Sequence, residues 1–232
     1  MKSLLRSSLG IALALAASTA AADRLPTFEV TVTNITRGQT FTPILVTTHS
    51  PSIALFELGA PASDELEFLA EDGGTGPFVT LLEGAGRAVS DVTAGDGLLA
   101  PGQSITFAIE GNPWRDVLSV AAMLIPTNDT FFAIDSVRLP GYGGSRTYFA
   151  PGYDAGTEFN DQSCANMPGP RCGGEGLSAA AGEGDEGFVY IGNGFHDRGS
   201  VDANGFEVLG PVVYDWRNPV AKVEVKRVRR RR

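Results

Sequence analysis

Two acidic turns are the parts of this sequence best equipped for chemistry. Pro126-Thr127-Asn128-Asp129 closes an apolar run, and Tyr153-Asp154-Ala155-Gly156-Thr157-Glu158 sets two carboxylates four residues apart around a glycine that permits a tight turn. Carboxylates in loops suit calcium, a hard cation that takes about six to eight oxygens in loosely specified geometry. Acidic turns are also expected from composition alone in a chain with 27 Asp and Glu. On the residues by themselves, a cation site and ordinary solvated turns both stay open. Asp202-Ala203-Asn204-Gly205 resembles half of an EF-hand loop but lacks the closing Glu, so it is read as a turn.

Other chemistries find little to stand on. The sequence has no Gly-x-Ser-x-Gly elbow, no phosphate loop and no dinucleotide fingerprint after a strand. Its two imidazoles, His49 and His196, are read as structural hydrogen-bonding side chains; the competing reading makes one of them the base of a secreted hydrolase, with no nucleophile fixed. The two cysteines, Cys164 and Cys172, lie eight apart in a Gly/Pro/Asn-rich stretch. In an oxidising compartment they close a small loop and staple residues 162–182, where apolar side chains are sparse. A metal pair is the alternative, but two thiolates with no nearby His make a poor zinc site.

The destination of the chain follows from its first residues. Lys2 and Arg6, an apolar run over 9–17 and then Ala20-Ala21-Ala22 follow the order of a secretory signal, with cleavage predicted after Ala22. The run is too short for a membrane anchor, which needs about 20 apolar residues. The expected product is secreted, periplasmic or extracellular. Between Asp23 and Ala221 there are 9 basic and 26 acidic residues, a net of −17, whereas 222–232 carries +6. An acidic body repels nucleic acid and attracts divalent cations. The basic tail, 229–232, is read as a solvated, dispensable run; anionic lipid is its alternative partner.

The elements that must hold the acidic turns read as strands. The 232 residues are 43% hydrophobic, enough for a sizeable core, while 29 Gly and 14 Pro leave little room for long helices. Residues 28–33, 105–109 and 221–228 alternate apolar and polar, and 117–125 is a continuous apolar run of the kind buried on both faces. With 44–46, 131–134, 188–191 and 212–214 they make about eight strands. Residues 63–70 read as a short helix with Ser63 as N-cap and Gly73-Gly74 as its stop. The expected architecture is all-β: an eight-stranded antiparallel β-sandwich with one or two short helices and long loops. It occupies a single domain, 23–228, after the signal at 1–22.

Several blocks of the sequence resemble one family. Met123-Leu124-Ile125-Pro126-Thr127-Asn128-Asp129, then Phe131-Phe132-Ala133-Ile134-Asp135, then the Asp154-Ala155-Gly156-Thr157 block are similar to the spondin N-terminal domain in a short secreted bacterial form. Leu55-Phe56-Glu57-Leu58-Gly59, Glu71-Asp72-Gly73 and the closing Tyr214-Asp215-Trp216-Arg217-Asn218-Pro219-Val220-Ala221 extend the resemblance over nearly the whole mature chain. It implies a C2-domain-like sandwich holding calcium at its loop end, with ligands at Asp129, Asp154 and Glu158. Glu158 stands where animal members carry a second Asp, and Thr130 replaces an aromatic residue. The implied role is a secreted calcium-binding adhesion or interaction module without catalysis, whose partner is an extracellular protein or glycan. Calcium-dependent attachment to an anionic membrane surface is the alternative, and a secreted hydrolase the more remote one.

Overall fold

The computed structural model describes residues 25–177, 184–196 and 199–228; the predicted export signal (1–22) and basic tail (229–232) lie outside them. Among the described residues the strands are, in chain order, β1 Thr27–Asn34, β2 Thr40–Phe41, β3 Leu45–His49, β4 Val89–Ala94, β5 Ser104–Glu110, β6 Val117–Ile125, β7 Thr130–Arg138, β8 Ser145–Ala150, β9 Gly152–Asp154, β10 Tyr190–Ile191, β11 Ser200–Val201, β12 Glu207–Val208 and β13 Ala221–Arg227. Eight of these have five residues or more and divide four and four between two antiparallel sheets. The smaller sheet runs β5-β1-β13-β8. The larger runs β10-β9-β7-β6-β3-β4, with β2 added against β6, and β11 and β12 form a separate hairpin.

Side-chain alternation explains the packing. Strand β1 buries Phe28, Val30 and Val32, and β13 buries Ala221, Val223 and Val225, all facing the gap between the sheets. Strand β6 has no solvated face: all nine of its residues are buried. Leu118, Val120, Ala122 and Leu124 enter the inter-sheet core, whereas Ala121 joins a second apolar cluster with Leu66, Leu69, Phe78 and Leu82. Those four belong to a helical layer on the outer face of the larger sheet. It comprises α1 Asp64–Glu67, a π-helical turn Phe68–Asp72 that continues it, and α2 Gly76–Gly84. A continuous apolar run is what a strand covered on both faces requires.

Ser63 caps α1 as its side-chain type predicts, accepting the Leu66 N–H at 3.3 Å, and Gly73 ends the π-helical turn with φ 74°. Ser63→Ala should therefore lower stability by about 1 kcal/mol without changing the fold, read as a small fall in melting temperature.

The structure corrects the sequence reading at four elements. Residues 212–214 are not a strand: Pro211 opens a single helical turn, α3 Pro211–Tyr214, because it fixes φ and has no N–H to give a ladder. The predicted strand 188–191 shrinks to Tyr190–Ile191, with Phe188 lying against the Gly156 turn. The Gly-rich stretch after residue 73 holds α2, with proline in its first turn, and then β4. Strand β8 falls in a segment that carries no alternating signal, since its outward positions are Ser145, Thr147 and Phe149.

Candidate metal centre

Strand register brings the two acidic turns together. Asp129 is the last residue before β7, and β7 pairs with β9 so that Thr130 lies opposite Asp154. The turn after β9 then folds back over Asp129. The Asp129 carbonyl accepts the Ala155 N–H at 3.2 Å, and its Oδ2 accepts the backbone N–H groups of Thr157 at 2.9 Å and Glu158 at 3.2 Å. Asp154 shapes the same turn: its Oδ1 accepts the Gly156 N–H at 2.9 Å, and its Oδ2 accepts from Asn160 Nδ2 at 2.8 Å. Asp129, Asp154 and Glu158 are all buried, at 0, 3 and 1% exposure.

Gly156 has a specific reason to be glycine. Its φ is 66°, and a Cβ there would lie 2.2 Å from the Phe188 carbonyl oxygen. Gly156→Ala should cost on the order of 2 kcal/mol through the strained backbone and the displaced Phe188 segment. It should also blunt any calcium response, which a paired thermal melt with and without calcium would read.

The electrostatics of this corner are unfavourable as it stands. Burial pushes the Asp129 carboxyl well above its ordinary range, and the Asp154 and Glu158 charges push the same way, against the two loop N–H groups that favour the ionised form. Burial likewise raises Asp154, to about 6, with the Glu186 charge adding to the rise and the Asn160 and Gly156 donors opposing it. Asp129 Oδ1 is buried and has no hydrogen-bond donor among the described residues. Buried carboxylate oxygens are ordinarily satisfied, so an orphan calls for an unseen partner.

A fourth acid adjoins the group. Glu71, on the π-helical turn, is buried, and its Oε1 likewise has no donor among the described residues. Burial raises its pKa first and the Glu67 charge adds to that, while a hydrogen bond with Thr157 opposes them. Thr157 thus stands between Glu71 and Asp129, to whose Oδ2 its hydroxyl also lies 3.4 Å. In the sequence Glu71 is marked only by its resembling Glu71-Asp72-Gly73 block, since its arrival here depends on how the helical layer packs. Among the described residues, no three His, Cys, Asp or Glu side chains converge closely enough to form a ready-made cage. The donor set still fits calcium better than a transition metal: it is all oxygen, it is anionic, and calcium completes its shell with carbonyls and water.

A family model described as Spondin_N matches residues 31–165, more than half of the chain and a span that contains Glu71, Asp129, Asp154 and Glu158. The chain belongs to the Spondin_N family. That family is a non-enzymatic one, and membership points to an extracellular interaction module. No curated protein matches the chain. The Spondin_N match ends just after Cys164, which is bonded to Cys172 as the spacing predicts. The stapled loop is better packed than its composition suggests, because Met167 reaches the inter-sheet core at 1% exposure. The disulfide and the family fit an extracellular protein, and among the described residues no helix is long and apolar enough to cross a membrane.

His49 and Asp202 of this Spondin_N chain are held in local hydrogen-bond networks. His49 and Ser119 are fully buried; His49 Nε2 lies 2.7 Å from Ser119 Oγ, and Nδ1 lies 2.9 Å from the Ser50 carbonyl. Ser119 donates onward to Asp135 at 2.6 Å, so the hydroxyl sits between imidazole and carboxylate, where it is closed to substrate. That is not the order in which a base activates a nucleophile. His196 is exposed, and its backbone N–H donates to Gln162 Oε1 at 2.8 Å. Asp202 caps the β11–β12 turn, its Oδ1 accepting the N–H groups of Asn204 and Phe206 at 2.9 Å each.

Proposed function

We propose that this protein is a secreted calcium-binding interaction module without catalytic activity, exported by residues 1–22 with cleavage after Ala22. The observation that carries the calcium reading is Asp129 Oδ1, a buried carboxylate oxygen without a donor among the described residues, in a corner that also buries Asp154 and Glu158. Three buried acids repel one another, and a divalent cation there would relieve the repulsion and supply the missing partner. Asp129, Asp154 and Glu158 would hold it, with Glu71 as an added donor beside Thr157. Their work would be to fix the two turns against the end of the sandwich and so present a rigid loop surface to an extracellular protein or glycan.

Calorimetric titration of the mature protein with calcium, and separately with magnesium, tests the reading. Binding of calcium with a stoichiometry near one and much weaker binding of magnesium are expected, because the smaller ion demands stricter octahedral geometry. A flat calcium titration at millimolar concentration overturns it. Amino-terminal sequencing of exported material should start at Asp23.

A further inference from the structure

The end of the sandwich opposite the acidic turns carries a different surface. Strand β6 starts there at Val117 and β7 returns there at Arg138, so the hollow between them is a full strand length from Asp129. It has a volume of about 510 Å³ and is lined by Pro51, Trp114, Arg115, Arg138, Leu139 and Arg146, among others. Arg146 shares the inward side of β8 with Tyr148, which packs on the inter-sheet core, and Ala150, which is buried. Its guanidinium therefore comes from one sheet and that of Arg138 from the other. Arg115 is tied to Asp116 at 3.2 Å and to Ser90 at 3.2 Å. Arg138 and Arg146 have no acid within salt-bridge distance among the described residues. Three of the nine basic residues of a strongly acidic body thus gather at one hollow, faced by the single carboxylate of Asp116.

Trp114 adds the second observation. Its side chain is 90% exposed beside the arginines, whereas Trp216 is buried at 8%. So exposed a ring beside guanidinium groups offers an apolar face and a polar edge to a ligand. We infer that this hollow binds an acidic saccharide, with Trp114 against the apolar face of a sugar ring and Arg138 and Arg146 on its carboxylate. The guanidinium fork matches a carboxylate in two parallel hydrogen bonds. The lining mixes the apolar Pro51, Pro113, Val117 and Leu139 with the arginines, which suits a ligand that is polar around its rim and apolar on one face. The net −17 of the body repels long polyanions, so a short acidic unit reaching the arginines within about a Debye length of 8 to 10 Å is favoured over nucleic acid.

This inference rests on the interaction-module reading and names its ligand class; its test is independent of the metal. With two tryptophans in the chain and one buried, intrinsic fluorescence of the full protein reports on Trp114. Titration with tetragalacturonate should shift the emission to the blue and saturate. Trp114→Phe should remove the shift, and Arg138→Gln or Arg146→Gln should weaken binding by about tenfold or more with an unchanged melting temperature. The calcium response should be unaffected in all three variants. Equal response to neutral maltotetraose, saturation by sodium sulfate at the same concentration, a response only to a tetraglutamate peptide, or no response to tetragalacturonate would each overturn the inference. None of those outcomes bears on calcium binding at the other end.

Discussion

Calcium is expected to raise the melting temperature of the purified protein at pH 7.5 by roughly 5 to 10 °C at a hundredfold excess over Kd. Binding to the native state alone contributes about 2.7 kcal/mol at that excess, and a domain of this size gains roughly 2 to 4 °C per kcal/mol. The metal-free protein should show the complementary pH dependence. Asp154 has a folded pKa raised to about 6 from 3.8, and burial raises that of Asp129 in the same direction. A carboxyl whose folded pKa is raised binds its proton more tightly when folded, so its ionisation opposes folding. For Asp154 the penalty is absent below about pH 4, grows as pH rises towards 6 and is complete above it, and ionisation of Asp129 adds a penalty of the same sign. For Asp154 alone it amounts to about 3 kcal/mol. Melting temperature without metal should therefore fall as pH rises from about 4 through 6. Calcium should flatten or reverse that fall, because it binds the ionised carboxylates and competes with their protons. Asp154→Asn should abolish most of the calcium shift while relieving part of the pH penalty, and Glu158→Gln should weaken the shift less. Melting curves that ignore both calcium and pH over this range would reduce these acids to ordinary turn residues.

Phe132→Ala should cost about 3 to 5 kcal/mol and lower the melting temperature by roughly 10 °C or more. Phe132 is fully buried at the middle of the larger sheet, opposite Ala122 on one side and Gly152 on the other. Its ring centroid lies 4.4 Å from that of Phe41, which anchors β2. The small neighbours Ala122 and Gly152 cannot expand into the space a lost ring would leave, so a cavity would persist. Phe149→Ala is the natural control. It lies on the edge strand β8 at 58% exposure, and its removal should change stability by less than about 0.5 kcal/mol. Chemical denaturation of both variants at fixed calcium separates the two effects; equal losses would mean that the inter-sheet core is not centred where the packing places it.

Legibility in the sequence tracked how locally each feature is encoded. Strands β1, β5, β6 and β13 announce themselves because their side-chain period is set by what each strand faces. Strand β8 does not: its outward side holds Phe149 and its inward side Arg146, so polarity is inverted where the strand leaves the core for an open hollow. Residues 212–214 are β-branched or aromatic and look extended, but Pro211 decided their fate. At the acidic corner, Asp129, Asp154 and Glu158 were legible as carboxylates in turns. Their shared burial was not, because it arises from the Thr130–Asp154 register, a pairing between residues 24 apart. Glu71 was invisible as a donor for the same reason, since it reaches Thr157 only when the helical layer docks on the sheet.

The neighbours of β13 bear on when the protein can fold. The strand lies between β1 and β8, and Phe28 pairs with Arg227, almost 200 positions later. Until the ribosome has released that last segment, β1 and β8 both present an unpaired ladder edge, and the smaller sheet cannot cover the inter-sheet core. Until residue 227 has emerged, a nascent chain therefore carries apolar side chains such as Val30, Val32 and Tyr148 without their final cover. Closure over so long a separation is slow. Shortening the chain by its final strand should leave an aggregating polypeptide rather than a smaller domain, and a chaperone that holds the chain open until residue 227 appears would raise the yield of folded protein.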